Sequence, residues 1–447
     1  MNLFRRKKKV HISEVVQKAL TYFVGNSPVI FYDYNQQDYI KEGYAANAEV
    51  YSIIKKITDK CNVAEPFIYI DKEGVKSRQT SPATTKNNRS NPLGFAKHKL
   101  AIKAVLDYAD SDNDLSKLIK NPNDTETWRD LSNLWRIFYN VQGEAFLYRE
   151  AGDDNCALSL HVAPPHMMTP FVEGTKLVGW QLNLGNGYTR NFRGEDINDV
   201  LHLKMPNPIF VNGQSIRGMS PLLAGLKYLQ LSDESLHSWL KSVINEGAKG
   251  LVSPNHSTPD MWLTPEQVEL VTATIEKKLH GSDNKNKVAV SGMPVTYHPI
   301  GLSPDALNVI NALEKSEHKL CDLWNVPPVL FDPNPTYANQ SVAAKRFVSD
   351  TIVPYLNVEE DKLNKWLVQP FIDRDGVNYV LDYDLSEMEE LRLSIDQTDA
   401  LLKTHTINEV RVMLGSDELE EEYANQVFIQ QGTVPLSDFE IGTNFDN

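Results

Sequence analysis

The residues that could do chemistry are few and scattered. His161 and His166 flank Pro164-Pro165 in "LSLHVAPPHMM". Imidazoles titrate near neutrality and can shuttle protons. General acid–base catalysis also needs a carboxylate or nucleophile held beside them, and none stands at a supporting spacing. Packing or a surface position is the simpler reading. An enzyme with a site near His161 and His166 is the alternative, and gel filtration separates a small oligomeric enzyme from a large assembly. "DSDND" at 110–114 imitates the opening of a calcium loop. Leu115 stands where that loop needs glycine and Asn121 where it needs a bidentate glutamate, so a solvated acidic loop is expected. "GMSP" at 218–221 lacks the closing glycine of a nucleophile elbow and reads as a helix start. The chain carries no Walker A pattern, no G-x-G-x-x-G after a strand and no H-E-x-x-H. Cys61, Cys156 and Cys321 are far apart and fit no zinc spacing, which points to a reducing compartment. Met167-Met168 reads as core. No catalytic residue, metal or cofactor is expected.

The chain has 447 residues, enough for two to four packing units, and 41% of them are hydrophobic. No run approaches the apolar length of a membrane span. "MNLFRRKKKV" resembles the start of a signal peptide, but the polar residues after it offer no apolar core, so a cytosolic protein is expected. The basic tip Arg5–Lys9 reads as a solvated arm that could touch nucleic acid or a neighbouring subunit. The formal charge is -14. Such a chain is not built to grip nucleic acid by releasing counterions, although it can lie close to it.

Around these residues the pattern predicts an α+β protein. Val50, Ile53, Ile54, Ile57 and Cys61 fall at helical spacing, and "FIYID" follows as a strand. Residues 76–100 read as a polar surface loop. A helix beginning near Thr125 carries Trp128, Leu131, Trp135, Phe138 and Tyr139 and stops at Gly143. Short strands fill 157–204. From Gly218 the style changes. Two long helices, begun by Ser220-Pro221 and Ser303-Pro304, carry narrow apolar stripes that suit edge-to-edge packing. Between them lies a small insert, with Thr264–Gln267 as a capping box and strands in "KVAVSG" and "VTYHPIG". Next comes "NVPPVLFDPNPTYANQSVAAKRF", with Pro327, Pro328, Pro333 and Pro335 close together. A helix from about Gln340 to Trp366 should kink at Pro354. The C-terminal region is helical and acidic, with a capping box at Thr406–Glu409 and a stop at Gly415.

Taken in order, these segments resemble the portal proteins of tailed bacteriophages over about 47–430. "LSKLIKNPNDTETW", "YNVQGEAFLYRE", "DVLHLKMPNP", "IRGMSPLLAGLKYL", "LCDLWNVPPVLFDPNPTYANQ" and "THTINEVRVMLG" each look like a family motif. Two departures stand out. Glu144 occupies a position where many members carry Asn, and Phe331-Asp332 follow Leu330 where members often have glycine. The resemblance implies a ring, usually dodecameric, at one capsid vertex of a virion assembled in the host bacterial cytoplasm. Terminase packages double-stranded DNA through it, and the DNA later leaves the same way. It also implies capsid protein, the terminase large subunit and a head-tail adaptor as partners, with no membrane. The expected organisation is an N-terminal arm 1–45, a wing 46–217, stem helices 218–250 and 303–325 around a clip 251–302, a tunnel loop with kinked helix and return to the wing 326–388, and a crown 389–447. Phe331, Asp332, Asn334, Thr336, Tyr337 and Asn339 would face the DNA channel. Asp260, Glu266, Glu269 and Glu276 on the clip would dock the motor. Another ring-forming head-tail connector is the second alternative.

Overall fold

The computed structural model describes residues 19–24, 27–32, 36–71, 86, 88–110, 112–173, 176–185, 187–208, 216–244, 250–254, 264–266, 269, 273, 295–299, 309–429 and 434–435. The chain divides into two compact units, Met1–Leu223 with Asp322–Asn447, and Ala224–Cys321. Every described strand pairing is antiparallel.

The larger unit opens with a hairpin of β1 (Ala19–Val24) and β2 (Ser27–Tyr32). Helix α1 (Ala48–Cys61) is capped by Asn47, whose side chain accepts the Val50 N–H, and it buries the five apolar residues its spacing marks. Strand β3 (Glu65–Asp71) follows. The expected surface loop then gives way to helix α2 (Pro92–Val105), a correction to the sequence reading. Asn91 caps it and Pro92 starts it, while Lys97, Lys99 and Lys103 disguise a face that buries Phe95, Ala96, His98 and Ala101. Strand β4 (Leu106–Tyr108) pairs with β3. Asn113 of the calcium-like stretch is the N-cap of α3 (Asp114–Lys120), its carboxamide taking the Leu115 N–H. Helix α4 (Trp128–Gln142) begins three residues later than expected. Thr127 and Asp130 form the capping box that starts it, and Gly143 ends it with φ +76°.

Strands β5 (Glu144–Ala151) and β6 (Ala157–Ala163) follow, then a three-stranded meander of β7 (Met168–Glu173), β8 (Lys176–Gly185) and β9 (Tyr188–Arg193). Strand β10 (Val200–Lys204) pairs with β5. Phe146, Ala163, Met168, Trp180, Leu182 and Phe192 form one dry cluster between these sheets. Helix α5 (Pro221–Ile244) starts where the Ser-Pro pair predicts, with the Leu222 N–H donated to Ser220 Oγ.

In the smaller unit, β11 (Gly250–Pro254) pairs with β12 (Val295–Pro299), Val252 opposite Tyr297. This ribbon joins the two ends of the insert, so the partner of the second expected strand is the insert's own first residues. The "KVAVSG" segment and the Ser303 cap lie outside the described residues. Helix α6 (Val309–Leu323) leads back into the larger unit.

The helix expected at 340–366 is longer and differently built. Helix α7 (Tyr337–Phe347) runs through a π-turn at Val348–Ile352 into α8 (Val353–Leu363), then through a second π-turn at Asn364–Val368 into α9 (Gln369–Asp375). Pro354 and Pro370 each sit in the first turn after a π-turn, so both disruptions are absorbed by an added residue in the helix. Strand β13 (Tyr379–Asp384) then adds to β3 on the edge opposite β4, with Leu381 facing Ile68. Helices α10 (Ile395–Leu402) and α11 (Ile407–Leu414) carry capping boxes at Ser394 and Thr406, and Leu401, Val410 and Met413 pack on Ala96 of α2.

Candidate functional site

The proline-rich stretch is set by its two ends. Helix α6 stops because Asn325 turns left-handed, with φ +53°. Beside it the buried Trp324 indole donates to the Asn140 carbonyl at 3.1 Å. Pro327, with φ −62°, leads into one 3-10 turn at Pro328–Phe331. Asp332 Oδ1 takes the Asn334 N–H at 2.8 Å, and Thr336 caps α7 through the Asn339 N–H. Proline rings fix φ, and short side chains bond the backbone locally, so the loop has little freedom without any core of its own.

The six loop residues singled out from the sequence divide into two groups. Asp332, Asn334, Thr336, Tyr337 and Asn339 are exposed, Tyr337 by 87%. Phe331 is half-buried. Lys56 of α1 sits over its ring, Nζ 4.9 Å from the centroid, and donates to the Leu330 carbonyl at 3.0 Å. Beneath it is a groove of about 500 Å³ whose walls include Lys60, Phe347 and Glu390. Among the clip acids, Glu266 and Glu269 are exposed. Asp260 and Glu276 lie outside the described residues.

The two histidines have separate surroundings. His161 stacks on Tyr148, with Nε2 3.0 Å from Ser159 Oγ. His166 lies in a single 3-10 turn, its pKa lowered by burial and by Lys41. Among the described residues neither has a carboxylate partner. The Cys61 thiol is pushed up to about 12 by burial, which leaves it unreactive.

Sequence reading missed the buried charges that hold the loop's surroundings. Glu144, at the first position of β5, has no exposed side-chain surface. It takes the Arg217 guanidinium, the His202 Nε2–H at 2.8 Å and the Gly218 N–H at 2.9 Å. Burial opposes its ionisation, but Arg217 and these hydrogen bonds outweigh burial and bring its pKa down to about 2. Burial lowers the His202 pKa, so that ring is neutral and donates through Nε2. Arg217 also donates to the Met168 and Pro165 carbonyls. Gly143 and Gly218 let the two backbones touch, since a Cβ on either would stand 2.1 Å from a carbonyl oxygen of the other segment.

Helix α8 is held in a similar way. Glu359 receives the buried Arg136 guanidinium at 2.8 and 3.1 Å and the Tyr383 hydroxyl. Glu360 receives Arg89 at 2.5 Å and Lys86 at 2.8 Å, and Arg89 also reaches Asp382. Glu359 and Glu360 lie beside Asp361 and Lys362 on a helix of mixed character, and their arginines are 223 and 271 residues away, so nothing local marks these pairs in the sequence.

A family model described as phage portal protein matches residues 98–415. An uncharacterized protein of Rickettsia bellii (strain RML369-C) is 22% identical over 312 residues, covering 69% of this chain and 79% of its own length. One of Rickettsia felis (strain ATCC VR-1525 / URRWXCal2) is 24% identical over 221 residues, 48% of this chain and 55% of its own. Among solved structures, a chain from the neck of a native gene transfer agent particle, computed with C12 symmetry, superposes with a TM-score of 0.58 at 18% identity, covering 91% of this chain and 98% of that one. An HK97 family phage portal protein from Corynebacterium diphtheriae gives 0.51 at 12% identity, over 80% and 97%.

Proposed function

This chain belongs to the phage portal protein family, and from that premise we propose that it forms the ring at the portal vertex of a virion-like particle and serves there as the head-tail connector. The observation that carries this reading is the family match over most of the chain. A fold shared end to end with a chain from a twelvefold-symmetric particle neck supports it. The ring is a passage for double-stranded DNA driven by a terminase, with capsid protein around it and an adaptor below.

In each copy the exposed run Asp332–Tyr337 faces the passage. Apart from Pro333 and Pro335 its side chains are polar or aromatic, with one carboxylate and no cation. Such a wall neutralises no phosphates, releases no counterions and so does not hold DNA in place. The overall charge of -14 acts in the same direction. The role of the chain is structural. Glu266 and Glu269 are exposed acids of the insert, whose sequence also carries Asp260 and Glu276; these acids dock the motor, and reversing their charges should weaken a terminase pull-down.

Electron microscopy of the purified chain tests the assembly: a ring with a central hole is expected, and a compact small oligomer overturns it. Deleting residues 333–336 tests the passage. Rings should form as before while packaged or retained DNA falls. Loss of the ring itself would mark the loop as a folding element.

A further inference from the structure

The helical run 337–375 carries two prolines that cannot donate a backbone hydrogen bond, and the carbonyl four residues before each one receives a side chain from elsewhere. Four residues before Pro354, the Asp350 carbonyl takes Asn325 Nδ2 at 3.3 Å. Four residues before Pro370, the Trp366 carbonyl takes Arg149 Nη1 at 3.2 Å. The residue before each proline bonds five back, Val353 to Val348 and Gln369 to Asn364, so the proline stands where α-helical bonding to the carbonyl four back would resume, and it has no N–H to supply.

Both side chains are themselves held. Asn325 is fixed by its left-handed backbone, and its carbonyl takes the Thr351 hydroxyl at 2.7 Å, so it grips the run on both sides of one peptide. Arg149 is buried in β5, with Nε on Asp199 at 3.0 Å and Nη2 on Asn155 at 3.1 Å. The Trp366 ring lies 5.8 Å from its guanidinium, and the Trp366 indole donates to the Asn198 carbonyl at 2.8 Å. Each π-turn thus has its own external anchor. One anchor is the residue that opens the proline loop, and the other is the strand that starts at Glu144.

We infer that Asn325 and Arg149 are positioning residues that fill the two proline-opened gaps of the run 337–375 and thereby set where the loop Asp332–Tyr337 stands relative to β5. The meaning of that placement for DNA rests on the passage reading above. The anchoring itself does not. A helix with unbroken internal bonding would have no reason to register against either partner. The prolines create that need, and the side chains meet it at two chosen points.

The test pairs each anchor with its proline in the full-length chain. Asn325→Gly keeps the left-handed backbone and removes the donor. Amide hydrogen exchange across 337–347 should rise roughly fivefold to tenfold, the worth of one hydrogen bond. Pro354→Ala supplies an N–H to the Asp350 carbonyl, so the double variant should return exchange to near the parent level. Arg149→Lys with Pro370→Ala provides the second pair, read over 364–375. No rise in exchange, or a rise that the proline replacement leaves untouched, overturns the inference. In assembled particles, Asn325→Gly should lower retained DNA and Pro354→Ala should restore it. An intact exchange coupling with unchanged DNA overturns the passage reading and leaves the anchors standing.

Discussion

Glu144 and Asp332 are both carboxylates that closely follow a helical segment, and their surroundings are opposite. Glu144 is fully buried and meets a guanidinium, an imidazole and a backbone N–H. Asp332 is exposed and holds one N–H of its own loop. The first region spends its polar groups on fixing backbone against backbone, because a buried charge must be paired to persist. The second uses prolines and local bonds to stiffen a segment whose side chains stay free to meet something else. Rigidity is therefore reached by two routes, and only one leaves a surface available for contact.

Replacing Gly143 by alanine attacks the first region most severely. The new Cβ would stand 2.1 Å from the Met219 carbonyl at a φ of +76°. Left-handed strain and the clash together should cost about 4 kcal/mol, seen as a large loss of melting temperature or of soluble protein. Glu144→Gln comes next. A carboxyl held at about 2 instead of the ordinary value contributes about 3 kcal/mol at neutral pH. That contribution is complete above the unfolded value and is lost as pH falls toward 2. Denaturant melts should therefore show a wide gap between parent and variant at pH 7 that closes between about pH 4.5 and 2. A gap independent of pH would mean that Glu144 acts by shape alone.

The loop region should respond far less. Lys56→Met removes the donor to the Leu330 carbonyl and the cation over Phe331, at a cost of about 1 kcal/mol, with exchange rising at Leu330–Asp332. Tyr337→Ala, at a position 87% exposed, should change stability by less than about 0.5 kcal/mol. Any effect on retained DNA would then come from contact. A large destabilisation by Tyr337→Ala would erase the contrast between the two regions.

Local rules made much of the architecture legible. The caps at Ser220 and Thr406, the stop at Gly143 and the stripe on α1 all depend on neighbours within a turn, which the chain itself supplies. The ordered motifs led to the family by the same means. Helix α2 was missed because its lysines broke the apolar pattern, and the π-turns because an added helical residue leaves no compositional mark. The proline cluster pointed to a stiff loop, but nothing in it said that Phe331 would turn inward to Lys56 while its neighbours stayed in water.

What the sequence by itself determined is therefore most of the helices and strands between α1 and α11, their order, and the proline-rich character of the segment between α6 and α7. Tertiary structure decided which charges are buried and paired: Glu144 with Arg217, Glu359 with Arg136, Glu360 with Arg89. It also brought β13 to β3 across some three hundred residues of chain and Asn325 and Arg149 to the two proline gaps. The reason is physical. Capping and periodicity act over one helical turn, whereas burial and pairing depend on which distant surfaces exclude water from one another.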